Sequence, residues 1–280
     1  MKQITLTRPH PIRRLALTVG FFCCVALAGA ARGAEWEATL SAPEAGPFRN
    51  LRPVTANYGF GWNGITAASV EVRLAPTADG HLQFTATGGT IGLARSLWEY
   101  EVNHSALVDA QTLRPLQVNE VENIRAERVT TELIFTPEGV TSAREERKDG
   151  QVKSKTRRFA FPNVLSVNAA LLHLRTQPLP EGAIHRVVVY PATSAYLCTV
   201  KVVGRERVTV PTGTYDALKL DVKLNKIGKE RELQPHKKLK KATVWLADDS
   251  DRLILRIEAQ IFVGTVFAEL QSVAYDEAKR

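Results

Sequence analysis

The strongest constraint in this chain is a strict alternation of apolar and charged residues. In Tyr215–Leu224 the positions Leu218, Leu220, Val222 and Leu224 are apolar, whereas Lys219, Asp221 and Lys223 are charged. A strand is the regular structure that sends alternate residues to opposite faces. The pattern returns in Leu253, Leu255, Ile257, Ala259 and Ile261 against Arg256, Glu258 and Gln260. The stretch Val208–Tyr275 therefore reads as a β-meander with one face toward a core and one toward water. That specifies a sheet and names no reaction.

The remainder of the 280 residues bounds where such a sheet would work. Lys2, Arg8, Arg13 and Arg14 precede an uncharged apolar run, Leu15–Leu27, and Ala28-Gly29-Ala30 supplies the small residues of a cleavage site. This is the layout of a secretory signal over 1–30, and the apolar run is shorter than the roughly 20 residues a bilayer span needs. The expectation is an exported protein, periplasmic or envelope-associated, that does not span the membrane after cleavage. Phe21-Phe22 before Cys23-Cys24 does not match a lipoprotein signal. Loss of the signal leaves Cys198 as the single cysteine, so no internal disulfide can form and the fold must rely on its core. The formal net charge drops from +8 to +4 when the four basic residues of the signal are removed. The excess is local, in Arg144–Arg158 and in Lys226–Lys241. In an exported protein these clusters point to anionic envelope components rather than nucleic acid, or are simply solvated hairpin tips.

Residues 31–53 are small, Pro-containing and aperiodic, a leader into a single β-rich domain over 54–275 with a tail at 276–280. Tyr58, Phe60 and Trp62 share one face of a first strand, and Asn63-Gly64 is the signature of a type I′ hairpin. Thr77–Gly80 and Asp149-Gly150 are further turn signals. Gly88–Glu101 carries a helical stripe of Ile91, Leu93, Ala94, Leu97 and Trp98. A longer helix is expected at Val164–Thr176, with Asn163 as its N-cap. The fold class is mainly β: a curved antiparallel sheet or half-open barrel of about a dozen strands, with that helix packed on it.

Two segments carry a family resemblance. One is Asn163-Val164-Leu165-Ser166 with Leu174-Arg175-Thr176-Gln177-Pro178-Leu179-Pro180-Glu181-Gly182. The other is Pro211-Thr212-Gly213-Thr214-Tyr215-Asp216-Ala217, followed by Thr243-Val244-Trp245-Leu246-Ala247-Asp248-Asp249-Ser250-Asp251-Arg252 and Gly264–Leu270. With Tyr58–Ile65 they resemble the exported bacterial family known as domain of unknown function 3108, over roughly Val54–Val273. The resemblance implies a β-rich half-barrel similar to the Lol lipoprotein carriers, which hold acyl chains against an apolar concave face. It implies no activity, because none is established for the family.

Motifs for catalysis are absent. Asp248-Asp249-Ser250-Asp251 is dense in carboxylates but lacks the Gly and terminal Glu of a calcium loop, and reads as a polar turn. No two histidines sit at metal-binding spacing and Ser166 has no nucleophile elbow around it. Neither a catalytic residue, a metal ligand nor a cofactor is expected. The candidate ligand-binding residues are Tyr58, Phe60, Trp62, Trp98 and Trp245; the candidate anion-steering residues are Lys237, Lys238, Lys240 and Lys241. The expected function is non-catalytic binding of an amphipathic partner, a lipid or lipoprotein acyl chain, on the concave face. The alternatives are a structural or assembly protein docking another envelope protein through a sheet edge or basic hairpins, and a hydrolase of envelope polymers.

Overall fold

A computed structural model describes residues 34–236, 239, 241–261 and 264–276. The signal segment 1–30 and the tail beyond Asp276 lie outside the described residues. The alternation read from the sequence becomes one antiparallel sheet of fifteen strands. A meander of eight comes first: β1 (Val54–Trp62), β2 (Ile65–Pro76), β3 (His81–Thr90), β4 (Tyr100–Asp109), β5 (Pro115–Ile124), β6 (Glu127–Thr136), β7 (Gly139–Lys148) and β8 (Gln151–Ala160). Its turns use the predicted chemistry, with φ of 46° and 84° at Asn63 and Gly64 and of 50° and 75° at Asp149 and Gly150. A short helix, α1 (Gly92–Leu97), connects β3 to β4.

The second half runs β9 (Ile184–Val189), β10 (Tyr196–Val210), β11 (Gly213–Ile227), β12 (Leu233–Pro235), β13 (Lys241–Ala247), β14 (Ile254–Ile261) and β15 (Gly264–Tyr275). The spatial order is β8 to β1, then β15, β14, β13, β11, β10 and β9, with β12 added to β11. β1 thus joins the two halves, pairing with β2 on one side and β15 on the other. Among the described residues the terminal strands β8 and β9 do not pair with each other, so the sheet stays open. Its two ends meet by packing instead. Val118, Leu133 and Val140 of β5–β7 share a core with Val188, Leu197 and Ile227 of β9–β11, and Ser142 donates to the carbonyl of Ala192 at 2.6 Å.

The main helix, α2 (Val167–Thr176), enters the concave side between β8 and β9. Its N-cap is Ser166, whose Oγ accepts from the amide of Ala169 at 3.1 Å. This corrects the expected start at Val164 with an Asn163 cap. Leu165 is still extended there, bridging Val189 and donating its amide to Val188 O, and Asn163 occupies a left-handed turn with φ of 57°. Leu172 and Ala169 pack on Val54, Leu74, Leu82 and Val108, and Leu174 packs on Val202, Leu218, Leu220 and Leu246. The alternating apolar residues of both halves therefore converge on one helix.

The Asp248–Arg252 turn fastens the end of that helix. Asp249 Oδ1 accepts from the amides of Asp251 and Arg252, each at 2.9 Å, as an Asx turn does. Arg175 Nε donates to Asp251 O at 3.0 Å. Arg252 Nη1 donates to the carbonyls of Arg175, at 2.9 Å, and Gln177, satisfying acceptors that a helix end leaves open. The Asp251 carboxylate, 7% exposed, is paired with Arg52 and accepts from Asn50. Residues 34–53 lie along this assembly: Trp36 stacks on Phe161 at 5.6 Å, and the Phe48 amide donates to Thr176 O.

Candidate functional site: an amphipathic concavity

Helix α2 fills the upper part of the concave face and leaves an apolar cavity of about 150 Å³ beneath it. The cavity lies between the helix and the strands β1, β2, β14 and β15. Val72, Ile257 and Ala268 form part of its sheet wall, and Leu171 and Leu172 its helix wall. Asn168 and Arg175 bound it on the helix side with polar side chains. Residues 168, 171, 172 and 175 are one stripe of a helix with 3.6 residues per turn, so a single face of α2 supplies both the apolar surface and its polar ends. Arg175 is buried against the turn that holds it, and desolvation pushes its pKa below the usual guanidinium range. Tyr58 donates its hydroxyl to Ile254 O at 2.9 Å; burial raises its pKa.

Beside the cavity the same face turns polar. Ala106, Val118 and Leu133 are neighbours across β4–β6 in the core, and two residues further along the strands the row reads His104, Glu120, Thr131 and Arg144. His104 Nδ1 is 2.9 Å from Glu120 Oε2, and its Nε2 is 3.0 Å from Asn168 Oδ1. Tyr100 donates to Glu122 Oε1 at 3.0 Å. Arg144 Nε donates to Glu146 Oε1 at 3.0 Å and lies 3.8 Å from Glu122. Asn168 thus belongs both to the cavity lining and to the charged row.

Both ring nitrogens of His104 face acceptor oxygens, an arrangement that suits the imidazolium. Burial opposes the charge, yet the bonds to Glu120 and Asn168 and the Glu120 charge outweigh it, so the pKa rises above 6.5. A raised folded-state pKa contributes stability that is full below about pH 6.5 and is lost as pH climbs through the folded value. His104→Gln is therefore expected to destabilise the protein more at pH 6 than at pH 8.5. Urea titrations of both proteins at the two values check this; equal losses would count against a charged His104.

The sequence candidates are dispersed. Tyr58 and Phe60 line the cavity. Trp62 and Trp98 do not; they are 47% and 51% exposed, and Trp62 lies beyond Phe60 at the end of β1. The Arg125 guanidinium covers Trp98 at 4.4 Å. Trp245 is buried away from the cavity and donates Nε1–H to Glu206 at 2.6 Å. Lys241 lies 3.6 Å from Asp221; Lys237, Lys238 and Lys240 lie outside the described residues. Asn168, Arg175, His104, Glu120, Glu122 and Arg144 were not foreseen. Only the helical stripe 168/171/172/175 carried a visible signal, because the charged row depends on which residues of β4–β7 fall opposite one another.

Among the described residues no cluster of three or more metal-ligating side chains occurs, and no helix is long and apolar enough to cross a membrane. Burial pushes the Cys198 thiol up to about 12, far from nucleophilic at neutral pH.

A family model described as a protein of unknown function, DUF3108, matches residues 55–271. No curated protein matches the chain at a significant level. Among solved structures, the chain is similar to a β-barrel-like protein of domain of unknown function DUF1849 from Brucella abortus. The identity is 10%, the match covers 81% of this chain and 99% of that one, and the TM-score is 0.55. It also matches a protein of YmcC-like fold from Bacteroides fragilis at 10% identity, over 83% of this chain and 100% of that one, with a TM-score of 0.35.

Proposed function

We propose, from the premise that this chain belongs to the DUF3108 family of proteins of unknown function, that it binds an amphipathic, lipid-like molecule on its concave face and performs no chemistry on it. The observation that carries the reading is the junction at Asn168, where an apolar cavity meets a row of charged and hydrogen-bonding side chains. An apolar cavity of this size stays dry and accepts a small apolar group. It is below the several hundred Å³ of a site that encloses a whole drug-sized ligand. It would therefore take one end of an acyl chain, with the polar part of the ligand against Tyr100, His104 and Arg144. Phe60, 39% exposed, carries the apolar lining to the rim, where Ile65, Leu93 and Leu97 are 69%, 77% and 68% exposed. An apolar surface continuous with an apolar cavity suits a ligand drawn from a lipid phase. The signal-like segment adds an extracytoplasmic location to this proposal.

The experiment is lipid extraction and mass spectrometry of protein exported by a bacterial host and purified without detergent, with Ala268→Phe beside the wild type. Ala268 is buried in the cavity wall, so a benzyl group there occupies the space. A stoichiometric lipid in the wild type that is reduced about tenfold in the variant is expected. A wild-type protein that carries no lipid and takes up no added fatty acid rejects the reading.

A further inference from the structure

The open seam of the sheet brings together the two basic clusters that the sequence keeps about seventy residues apart. Between the end of β8, the loop after β9 and the β11–β12 connection lies a cleft of about 1030 Å³, separate from the apolar cavity. Arg157 and Arg158 line it from one side; Lys226, Lys229 and Arg231 line it from the other. The hydroxyl residues Thr193 and Ser194 stand between them.

Two carboxylates, Glu230 and Glu232, also line the cleft. Glu232 is engaged locally, accepting from Gln234 Nε2 at 2.7 Å and from the Glu230 amide at 3.1 Å. Arg231 is bound to Glu37 at 2.9 Å and lies over the Phe161 ring at 5.2 Å. None of Arg157, Arg158, Lys226 and Lys229 has a carboxylate within ion-pair distance among the described residues. The Arg157 side chain lines the cleft while only partly exposed, so its charge is less screened by water than that of a free hairpin tip. Solvated hairpin tips would spread such charges apart; here they converge across a gap that the sheet leaves unpaired.

We infer that the seam cleft is a binding site for a phosphate-class oxyanion, with Arg157 and Lys229 as its principal cations. Guanidinium and ammonium groups from opposite walls suit a tetrahedral oxyanion, which offers acceptors in several directions. The phosphate could be a free ion or ester, or the head group of an anionic lipid. The chemistry recognised is the same.

The test uses the protein as exported by a bacterial host, with inorganic phosphate as one probe and vesicles of phosphatidylglycerol or phosphatidylcholine as the other. Wild type is compared with Arg157→Gln/Lys229→Gln and with Arg207→Gln, which removes an exposed cation outside the cleft. Saturable thermal stabilisation by phosphate, weakened at least tenfold in the double variant and unchanged in Arg207→Gln, is expected if the site takes free phosphate. Preference for phosphatidylglycerol vesicles without a phosphate response, lost in the double variant alone, supports the head-group source. No response to either probe, or equal weakening in Arg207→Gln, overturns the site and leaves only net charge. Matching melting temperatures without phosphate confirm that the variants fold. Phosphate does not report on the apolar cavity, and vesicle binding that persists in the double variant is the part owed to that cavity, so the site can fail while the lipid reading stands.

Discussion

Replacing Asp251 with alanine is expected to lower the stability by about 2–3 kcal/mol, in line with loss of hydrogen bonds to a largely buried charged group. Its carboxylate is nearly enclosed and paired with Arg52, and Asn50 donates to it as well. The backbone carbonyl of Asp251 itself accepts from Arg175, so disorder in the turn would also release the end of α2. In a domain of this size the loss corresponds to a fall of roughly 5–10 °C in the melting temperature, measurable by calorimetry. The bond from Arg52 outweighs burial and holds the Asp251 pKa below 3.8. A depressed folded-state pKa contributes stability that is present above the unfolded value and is lost as pH falls through the folded one. Asp251→Asn should accordingly flatten the acid limb of the stability profile below about pH 4. An acid limb identical to the wild type would show that the pair contributes nothing.

The second large effect belongs to the helix. Leu172→Ala removes a side chain that is 3% exposed and packs between the cavity and the core. The expected cost is about 3–5 kcal/mol, because the lost transfer energy is joined by the energy of the space left behind. The same truncation enlarges a cavity that is already apolar. On the lipid-binding reading the variant should regain a larger share of its stability on titration with a medium-chain fatty acid than the wild type gains, since a ligand that binds only the folded state stabilises it. Denaturant titrations with and without the fatty acid measure both quantities. Restoration equal to the small wild-type gain would place the ligand elsewhere.

These contrasts show which levels of structure the sequence encodes openly. Strands with one-sided alternation, such as β11 and β14, could be read because the two-residue period is local. The Asn63-Gly64 and Asp149-Gly150 turns could be read because left-handed backbone favours those residue types. The start of α2 is not legible in this way, since Leu165 is held extended by Val189, a partner beyond a helix and a loop. Family resemblance pointed to a half-barrel, and the open fifteen-stranded sheet agrees. The site was less legible. Tyr58 and Phe60 reach the cavity, whereas Trp62 lies past its edge on the same strand, and Trp98 and Trp245 face other surroundings. Aromatic character announces burial or binding without saying which. The row from His104 to Arg144 is invisible in any one strand, because it is made by register across four of them. Likewise the Asp248–Arg252 turn reads as polar, but its role at the end of a distant helix depends on the fold.

The place of β1 between β2 and β15 has a kinetic consequence. Strands β1 to β8 can pair with sequence neighbours as the chain is synthesised, each hairpin closing a short loop. One edge of β1 cannot be completed until the last strand arrives, since Val54 lies opposite Tyr275. Such long-range pairing slows folding, because the loop must close before the contact rewards it. Until then the N-terminal half presents an unpaired strand edge carrying Tyr58 and Phe60, the kind of edge that recruits other chains. A chain truncated before β15 should therefore aggregate rather than persist as a smaller soluble barrel. A circular permutant that joins the ends of β15 and β1, and opens the chain between β8 and α2, should refold faster than the parent.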